Sequence, residues 1–134
     1  MRAVRLSLKA NLAALLLLVS ASDALPHHSV MGQFDVNKEL TIKGAIVKMQ
    51  WQNPHGWLRV NVTTAAGKSE EWIVEFAAAN SLYRQGWRAE DLPAGQMVTV
   101  VGLAARNGSN TLAGKRVELA DGRTLFADGG KSRP

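Results

Sequence analysis

From residue 41 onward, most of the chain shows the two-residue periodicity of β-strands. Leu58, Val60 and Val62 occupy alternate positions between Trp57, Arg59 and Asn61, a pattern typical of a half-buried strand. Residues 71–76 alternate in the same way after a turn at residues 66–67, so the two segments predict a β-hairpin. Residues 97–103 and 115–119 predict two further strands, and residues 123–127 predict a short sixth one.

Residues 41–51 predict the first strand, in which the alternation changes phase. Ile42 is apolar at an even position, whereas Val47 and Met49 are apolar at odd positions. Gly44 lies where the two phases meet, and a glycine within a strand often marks a bulge or a sharp bend. We therefore expect a long first strand that bends at Gly44.

One segment, residues 78–85, predicts a short helix. Asn80 or Ser81 can cap its start, and Gly86 suits the left-handed position after its end. This helix lies between the third and fourth strands, which is the order of an OB-fold, a five-stranded Greek-key barrel. We predict a mainly β, OB-fold-like barrel over residues 41–127; a small β-sandwich is the alternative with a similar pattern.

The first 24 residues have the three-part pattern of a secretory signal peptide. Three basic residues precede an apolar run at residues 12–19, and small residues follow it. Ser22 and Ala24 favour cleavage after Ala24, with a cut after Ala21 as the alternative. The apolar run is far shorter than the roughly 20 residues that span a bilayer. These features predict a periplasmic or secreted bacterial protein without a membrane span.

We predict four segments along the chain: a signal peptide (1–24), an extended arm (25–40), the barrel (41–127) and a flexible tail (128–134). The chain has no cysteine, which excludes disulfides and cysteine-ligated metal sites. The formal net charge is +5, and removal of residues 1–24 would lower it to about +3. Such a mild excess lacks the basic stripe of a nucleic-acid-binding protein, so no nucleic-acid partner is predicted.

The three histidines of the chain form the first candidate site. His27 and His28 follow the predicted cleavage site, and His55 lies in the turn after the first strand. Imidazole is the commonest transition-metal ligand, so an arm folded over this turn would bring three ligands to copper or zinc. Met31 or Met49 would assist if the metal were cuprous. In the alternative, His27 and His28 are solvated and His55 makes a local hydrogen bond.

Aromatic and polar residues around the same turn form the second candidate site. An exposed tryptophan beside an arginine can stack on a flat ligand, unless the arm or the C-terminal segment covers it. The predicted ligand-binding face consists of Trp51, Asn53, His55, Trp57 and Arg59.

The sequence contains no arrangement that predicts catalysis. Glu71 and Glu75 share one face of their strand, where we expect them to be solvated rather than paired for acid–base chemistry. Ser29 follows two histidines, but no acid or oxyanion device accompanies it. We therefore predict a non-enzymatic protein.

A series of short motifs runs through nearly the whole chain after the signal. They are His27-His28-Ser29, Phe34-Asp35, Gly44, Trp51-Gln52-Asn53-Pro54-His55, Trp72 with Glu75, Arg84-Gln85-Gly86-Trp87, Leu92-Pro93-Ala94-Gly95, Gly102 and Asp121-Gly122-Arg123. In these motifs the chain resembles domain of unknown function family 6152, small exported bacterial proteins. Val30 and Gln96 depart from its pattern, which has an aromatic residue and an aspartate there.

The resemblance implies export and a small β-barrel, but no established activity. It also implies that all three histidines occupy motif positions. The leading prediction is an exported binding module for a small ligand or a periplasmic protein partner. The alternative prediction is a copper or zinc protein that uses His27, His28 and His55, and no other cofactor is predicted.

Overall fold

The computed structural model describes residues 30–127, with side chains from residue 32 onward. Within this range no helix is long and apolar enough to cross a membrane. The elements in chain order are α1 (Val30–Gln33), β1 (Phe34–Gln50), β2 (Gly56–Thr63), β3 (Ser69–Phe76), α2 (Ala79–Arg84), a 3₁₀ turn (Ala89–Asp91), β4 (Met97–Ala105), β5 (Thr111–Leu119) and β6 (Thr124–Phe126).

The six strands form one sheet in the order β3-β2-β1-β4-β5-β6, with antiparallel neighbours. In addition, β3 pairs with β5 in parallel, where Ile73 faces Thr111 and Glu75 faces Ala113. The prediction of a mainly β chain with a short helix between its third and fourth strands is confirmed.

The core consists of apolar side chains contributed by all six strands, by α2 and by the segment that follows α2. The hairpin contributes Leu58, Val60, Val74 and Phe76, as its alternation predicts. Trp87 is fully buried, contacts Phe76 edge to face with ring centroids 4.9 Å apart, and is the largest of the fully buried side chains in residues 32–127. The other buried members of this cluster are Ile42, Ile46, Leu82, Leu92, Val98, Val100, Leu112, Val117, Leu119 and Leu125.

The first strand is longer than predicted, because it begins within residues 25–40, the predicted extended arm. Residues 30–33 form a helical turn, and residues 34–40 belong to β1. Phe34 pairs with Ala105 and Glu39 pairs with Leu103, with an irregular register between them. This irregular stretch is mostly polar, so it lacks the apolar alternation by which the rest of the strand is recognised.

The bulge in β1 lies at Val47, three residues after the predicted position. The register with β2 shifts between Ile46 and Lys48, so Val47 is the extra residue, and it is 44% exposed. Gly44 serves a different purpose, because a Cβ there would lie 2.2 Å from the carbonyl oxygen of Asn61. The glycine therefore permits the close approach of β1 and β2 just before the bulge.

Helix α2 ends as predicted but begins in another way. Gly86 has a φ of +95°, the left-handed conformation expected after the helix. Neither Asn80 nor Ser81 caps the helix start; the capping position is Ala78, which offers no side-chain hydrogen bond. Instead, the backbone N–H of Asn80 donates to Oδ1 of Asn53, 3.3 Å away, so the loop before β2 supplies the missing acceptor.

Candidate functional site

Two cavities meet at Trp57 on the outer face of the β2–β3 hairpin. The arm cavity, about 400 Å³, is lined by Trp57 and Glu75 together with Gly32, Phe34 and the β4–β5 connection. The Arg59 cavity, about 290 Å³, is lined by Gln50, Gln52, Trp57, Arg59 and Ile73. Trp57 is therefore the common wall of two adjoining cavities.

A third, more apolar cavity continues from the arm cavity. The His55 cavity, about 370 Å³, shares Phe34 and Glu75 with the arm cavity and adds His55, Phe76 and Lys115. Shared lining residues thus join the three cavities into one continuous surface, which we call the Trp57 face.

The register of the hairpin brings the central side chains of this face together. Trp57 pairs directly with Glu75, and Arg59 pairs with Ile73. Directly paired residues of antiparallel strands point to the same side of the sheet, so Trp57 and Glu75 lie next to each other. The connecting turn is closed by a hydrogen bond from Thr64 N–H to the Lys68 carbonyl, 2.8 Å.

His55 and Glu75 are in direct contact at the edge of the face. Nδ1 of His55 lies 2.9 Å from Oε1 of Glu75, and the histidine side chain is 48% exposed against 18% for the glutamate. The His55 ring is also tilted against Trp57, with ring centroids 6.3 Å apart. The carboxylate is therefore the enclosed member of the pair, and the imidazole is the accessible one.

The loop that carries His55 is held by the backbone on both sides. The N–H of Ala79 donates to the Gln52 carbonyl at 2.9 Å, and the N–H of Gly56 donates to the Ala77 carbonyl at 3.0 Å. The Asn53–Pro54 peptide bond between these anchors is cis. These contacts tie the histidine-bearing loop to the junction between β3 and α2.

Two further pairs of charged side chains lie near the face. Arg59 donates to Glu71 at 2.8 Å, with both side chains nearly half exposed. Lys115 donates to Glu39 at 2.7 Å, and this hydrogen bond, together with the positive charge, lowers the pKa of Glu39. The Trp57 face therefore carries ion pairs of both signs rather than a patch of one sign.

The structure divides the five residues of the predicted ligand-binding face into two groups. His55, Trp57 and Arg59 come together on the Trp57 face. Trp51 instead stacks on Tyr83 of α2, with ring centroids 5.0 Å apart and an interplanar angle of 15°, and it packs against the core. Asn53 bonds to the start of α2. Trp51 and Asn53 thus attach the helix to the sheet.

The predicted metal site is described only in part, because His27 and His28 lie outside the described residues. Over residues 30–127 no group of three or more histidine, cysteine or acidic side chains is placed to hold a metal ion. Met49 packs against the core, and nothing is described of the Met31 side chain. Gly32, four residues after His28, lines the arm cavity.

Glu75 is the site residue that the sequence reasoning missed. The prediction of a solvated Glu71–Glu75 pair is wrong for Glu75, whose side chain is mostly enclosed and in contact with His55. A hairpin with its turn centred on Ala66 pairs position 57 with position 75, so the turn position already indicated that Glu75 adjoins Trp57. No comparable signal in the sequence indicates that Phe34 lines the arm and His55 cavities, since the position of Phe34 depends on the path of the arm.

A family model described as a family of unknown function, DUF6152, matches residues 14–114. No curated protein and no solved structure matches the chain.

Proposed function

The chain belongs to the DUF6152 family, and we propose that this member is an exported, non-enzymatic OB-fold module that binds a small ligand on the Trp57 face. The parallel pairing of β3 with β5 supports the OB-fold, because it joins the two ends of the β3-β2-β1-β4-β5 order. The basic and apolar pattern of residues 1–24 supports export to the periplasm or the exterior.

The position of Trp57 carries the proposal for ligand binding. It lines both the arm cavity and the Arg59 cavity, and together these are of the size that small-molecule sites have, about 300–1,000 Å³. Glu75 pairs directly with Trp57 across the hairpin, and Arg59 is the next residue of β2 on the same side of the sheet. A ligand with a flat apolar body and polar groups at its ends would stack on the indole and reach both charged side chains.

A thermal-shift screen of the purified chain from residue 25 tests this proposal. The probes are dipeptides, monosaccharides, nucleosides and aromatic carboxylates. A ligand present at 100 times its Kd stabilises the folded state by about 2.7 kcal/mol and raises Tm measurably. Trp57→Ala and Arg59→Ala should abolish the shift, whereas Arg84→Ala, an exposed change on α2, should leave it intact. Binding that survives Trp57→Ala would place the ligand elsewhere and contradict the proposal.

Binding of copper or zinc by His27, His28 and His55 is the second candidate function. The observation that favours it is the His55–Glu75 contact, which engages Nδ1 of His55 and leaves Nε2 for a metal ion. His28 precedes Gly32 of the arm cavity by four residues, and four residues of extended chain span at most about 14 Å. His28 is therefore within chain reach of the Trp57 face, and His27 precedes it by one residue.

Metal analysis of the purified protein, followed by copper and zinc titration, tests the second candidate. The wild-type chain should bind one ion, and the triple variant His27→Ala, His28→Ala, His55→Ala should lose it. The Arg84→Ala variant is again the matched control and should bind like the wild type. Equal titration curves for the wild type and the triple variant would contradict metal binding by these histidines.

A further inference from the structure

We infer, on the basis of the proposed ligand-binding function, that the Trp57 face takes a neutral oligosaccharide of at least two sugar units. A pyranose ring has an apolar face of C–H groups and a rim of hydroxyl groups. The apolar face packs on an aromatic ring, and the rim hydrogen-bonds to polar side chains around that ring. The Trp57 face offers both kinds of partner.

The face is wide enough for more than one sugar unit, because three strands contribute to it. Trp57 of β2 pairs with Glu75 of β3, and Glu75 pairs with Ala113 of β5. Neighbouring strands are about 4.8 Å apart, so this row of residues extends about 10 Å across the sheet. A second row of paired residues, which begins at Arg59 and ends at Thr111, runs beside it. A disaccharide covers such a surface, whereas a single sugar ring covers only part of it.

Neutral polar side chains surround the indole. Gln50 and Gln52 line the Arg59 cavity. Asn107, Ser109 and Thr111 line the arm cavity. Amides and hydroxyls both donate and accept hydrogen bonds, and sugar hydroxyls do the same. Within residues 32–127 no other residue hydrogen-bonds to the side chain of Gln50 or Gln52, so these two amides are available to a ligand.

The charges of the face favour a sugar over a single-stranded nucleic acid, the other ligand that OB-folds bind at their second and third strands. A nucleic-acid strand requires cations that can meet its phosphates. Arg59, however, is paired with Glu71 at 2.8 Å. Lys115 of the His55 cavity is paired with Glu39 at 2.7 Å. These two cations already have carboxylate partners within the chain.

One positive and one negative side chain line the arm cavity. Arg106 donates from Nε to the carbonyl oxygen of Phe34, 3.1 Å away. The mostly enclosed carboxylate of Glu75 lines the same cavity next to Trp57. A phosphate that approached Arg106 would also meet this carboxylate, whereas a sugar hydroxyl can accept a hydrogen bond from one and donate to the other. The balance of charge therefore favours an uncharged ligand.

Isothermal titration calorimetry with the chain from residue 25 tests the inference. The probes are the mono-, di- and trisaccharides of the cello-, malto-, chito- and manno-series, together with a short oligothymidylate. At least one trisaccharide should bind, with an affinity at least about 10-fold higher than that of its monosaccharide. Each further hydrogen bond adds about 2- to 10-fold in affinity, and a longer ligand reaches more of the polar side chains.

Variants of the face locate the bound sugar. Trp57→Ala should abolish trisaccharide binding, because it removes the surface on which the rings pack. Gln52→Ala in the Arg59 cavity and Ser109→Ala in the arm cavity should each weaken it by about 2- to 10-fold. Arg84→Ala, on the exposed side of α2, is the matched control and should bind like the wild type.

The outcomes separate the ligand class from the proposed function. If trisaccharides bind no better than monosaccharides, or if none of them binds, the oligosaccharide site is overturned. Binding of an aromatic carboxylate or a nucleoside through Trp57, without saccharide binding, would overturn the ligand class while the proposed function stands. Oligothymidylate binding that weakens steeply with salt would overturn it in favour of a nucleic acid. If the wild type binds none of the probes, the proposed function and the oligosaccharide site fail together.

Discussion

Replacing Trp87 with phenylalanine should destabilise the fold by about 2–5 kcal/mol. The Trp87 side chain is fully buried, and its indole N–H donates to the carbonyl oxygen of Phe126 at 3.0 Å. Phenylalanine cannot donate, and a partly buried carbonyl left without its partner costs about 1–3 kcal/mol. The smaller ring leaves a void whose cost is only part of the 3–5 kcal/mol of full truncation to alanine, about 1–2 kcal/mol.

Urea unfolding of the chain from residue 25, followed by far-UV circular dichroism, measures this loss. In a thermal unfolding measurement, a loss of 2 kcal/mol in the free energy of unfolding lowers Tm by at least about 8 °C in a domain of this size. Trp57→Phe is the matched control, because Trp57 is only partly buried on the outer face, and we expect it to cost less than about 1 kcal/mol. The reasoning is refuted if Trp87→Phe unfolds within 0.5 kcal/mol of the wild type, or if the two variants cost the same.

Three further predictions concern the strand pairing, the response to acid and the N-terminus. Gly44→Ala forces a methyl group against the Asn61 carbonyl oxygen and should cost about 1–3 kcal/mol in urea unfolding; unchanged stability would contradict the close approach of β1 and β2. Hydrogen bonds from the backbone and side chain of Arg123 lower the pKa of Asp121 in the folded state. These hydrogen bonds therefore stabilise the fold fully above the usual carboxyl pKa, and this stabilisation is lost as the pH falls through the lowered pKa of the folded state. Asp121→Asn should therefore lower Tm at neutral pH, and the difference from the wild type should shrink as the pH falls below the usual carboxyl pKa; a Tm difference that does not shrink would contradict the assignment. When a bacterial host exports the protein, mass spectrometry should show a mature chain that begins after Ala24. A mass that corresponds to a chain with residues 1–24 retained would contradict cleavage.

The hairpin and the helix could be predicted from the sequence because their signals are local. Leu58 and Val60 alternate with side chains that face outward, and Gly86 ends α2 where its left-handed conformation is needed. The bulge could not be located in this way. Gly44 and Val47 both lie near the change of phase, and only the pairing with β2 shows that Val47 is the extra residue. A glycine can mark a bulge or a close backbone approach, and alternation alone does not separate the two.

The candidate site was predictable where it follows from one strand and its turn, and not where it needs long-range contacts. Trp57 and Arg59 point outward because they alternate with buried residues of β2. The contact of Trp51 with Tyr83, and that of Asn53 with the start of α2, join positions about 30 residues apart. Nothing in the local sequence indicates that these motif residues attach a helix while His55 faces a cavity.

The loop between β1 and β2 contacts both α2 and the end of β3, and these two contacts explain why so many motif residues occur in it. Asn53 holds the start of α2, and two residues later His55 contacts Glu75 at the end of β3. Because both partners belong to the segment that runs from β3 into α2, the helix and the His55 ring are fixed by one short stretch of loop. A ring held in this way has little conformational freedom to lose on binding, so a ligand or metal ion that reaches it meets a preorganised group. The same contacts that stabilise the fold therefore set the geometry of the candidate site.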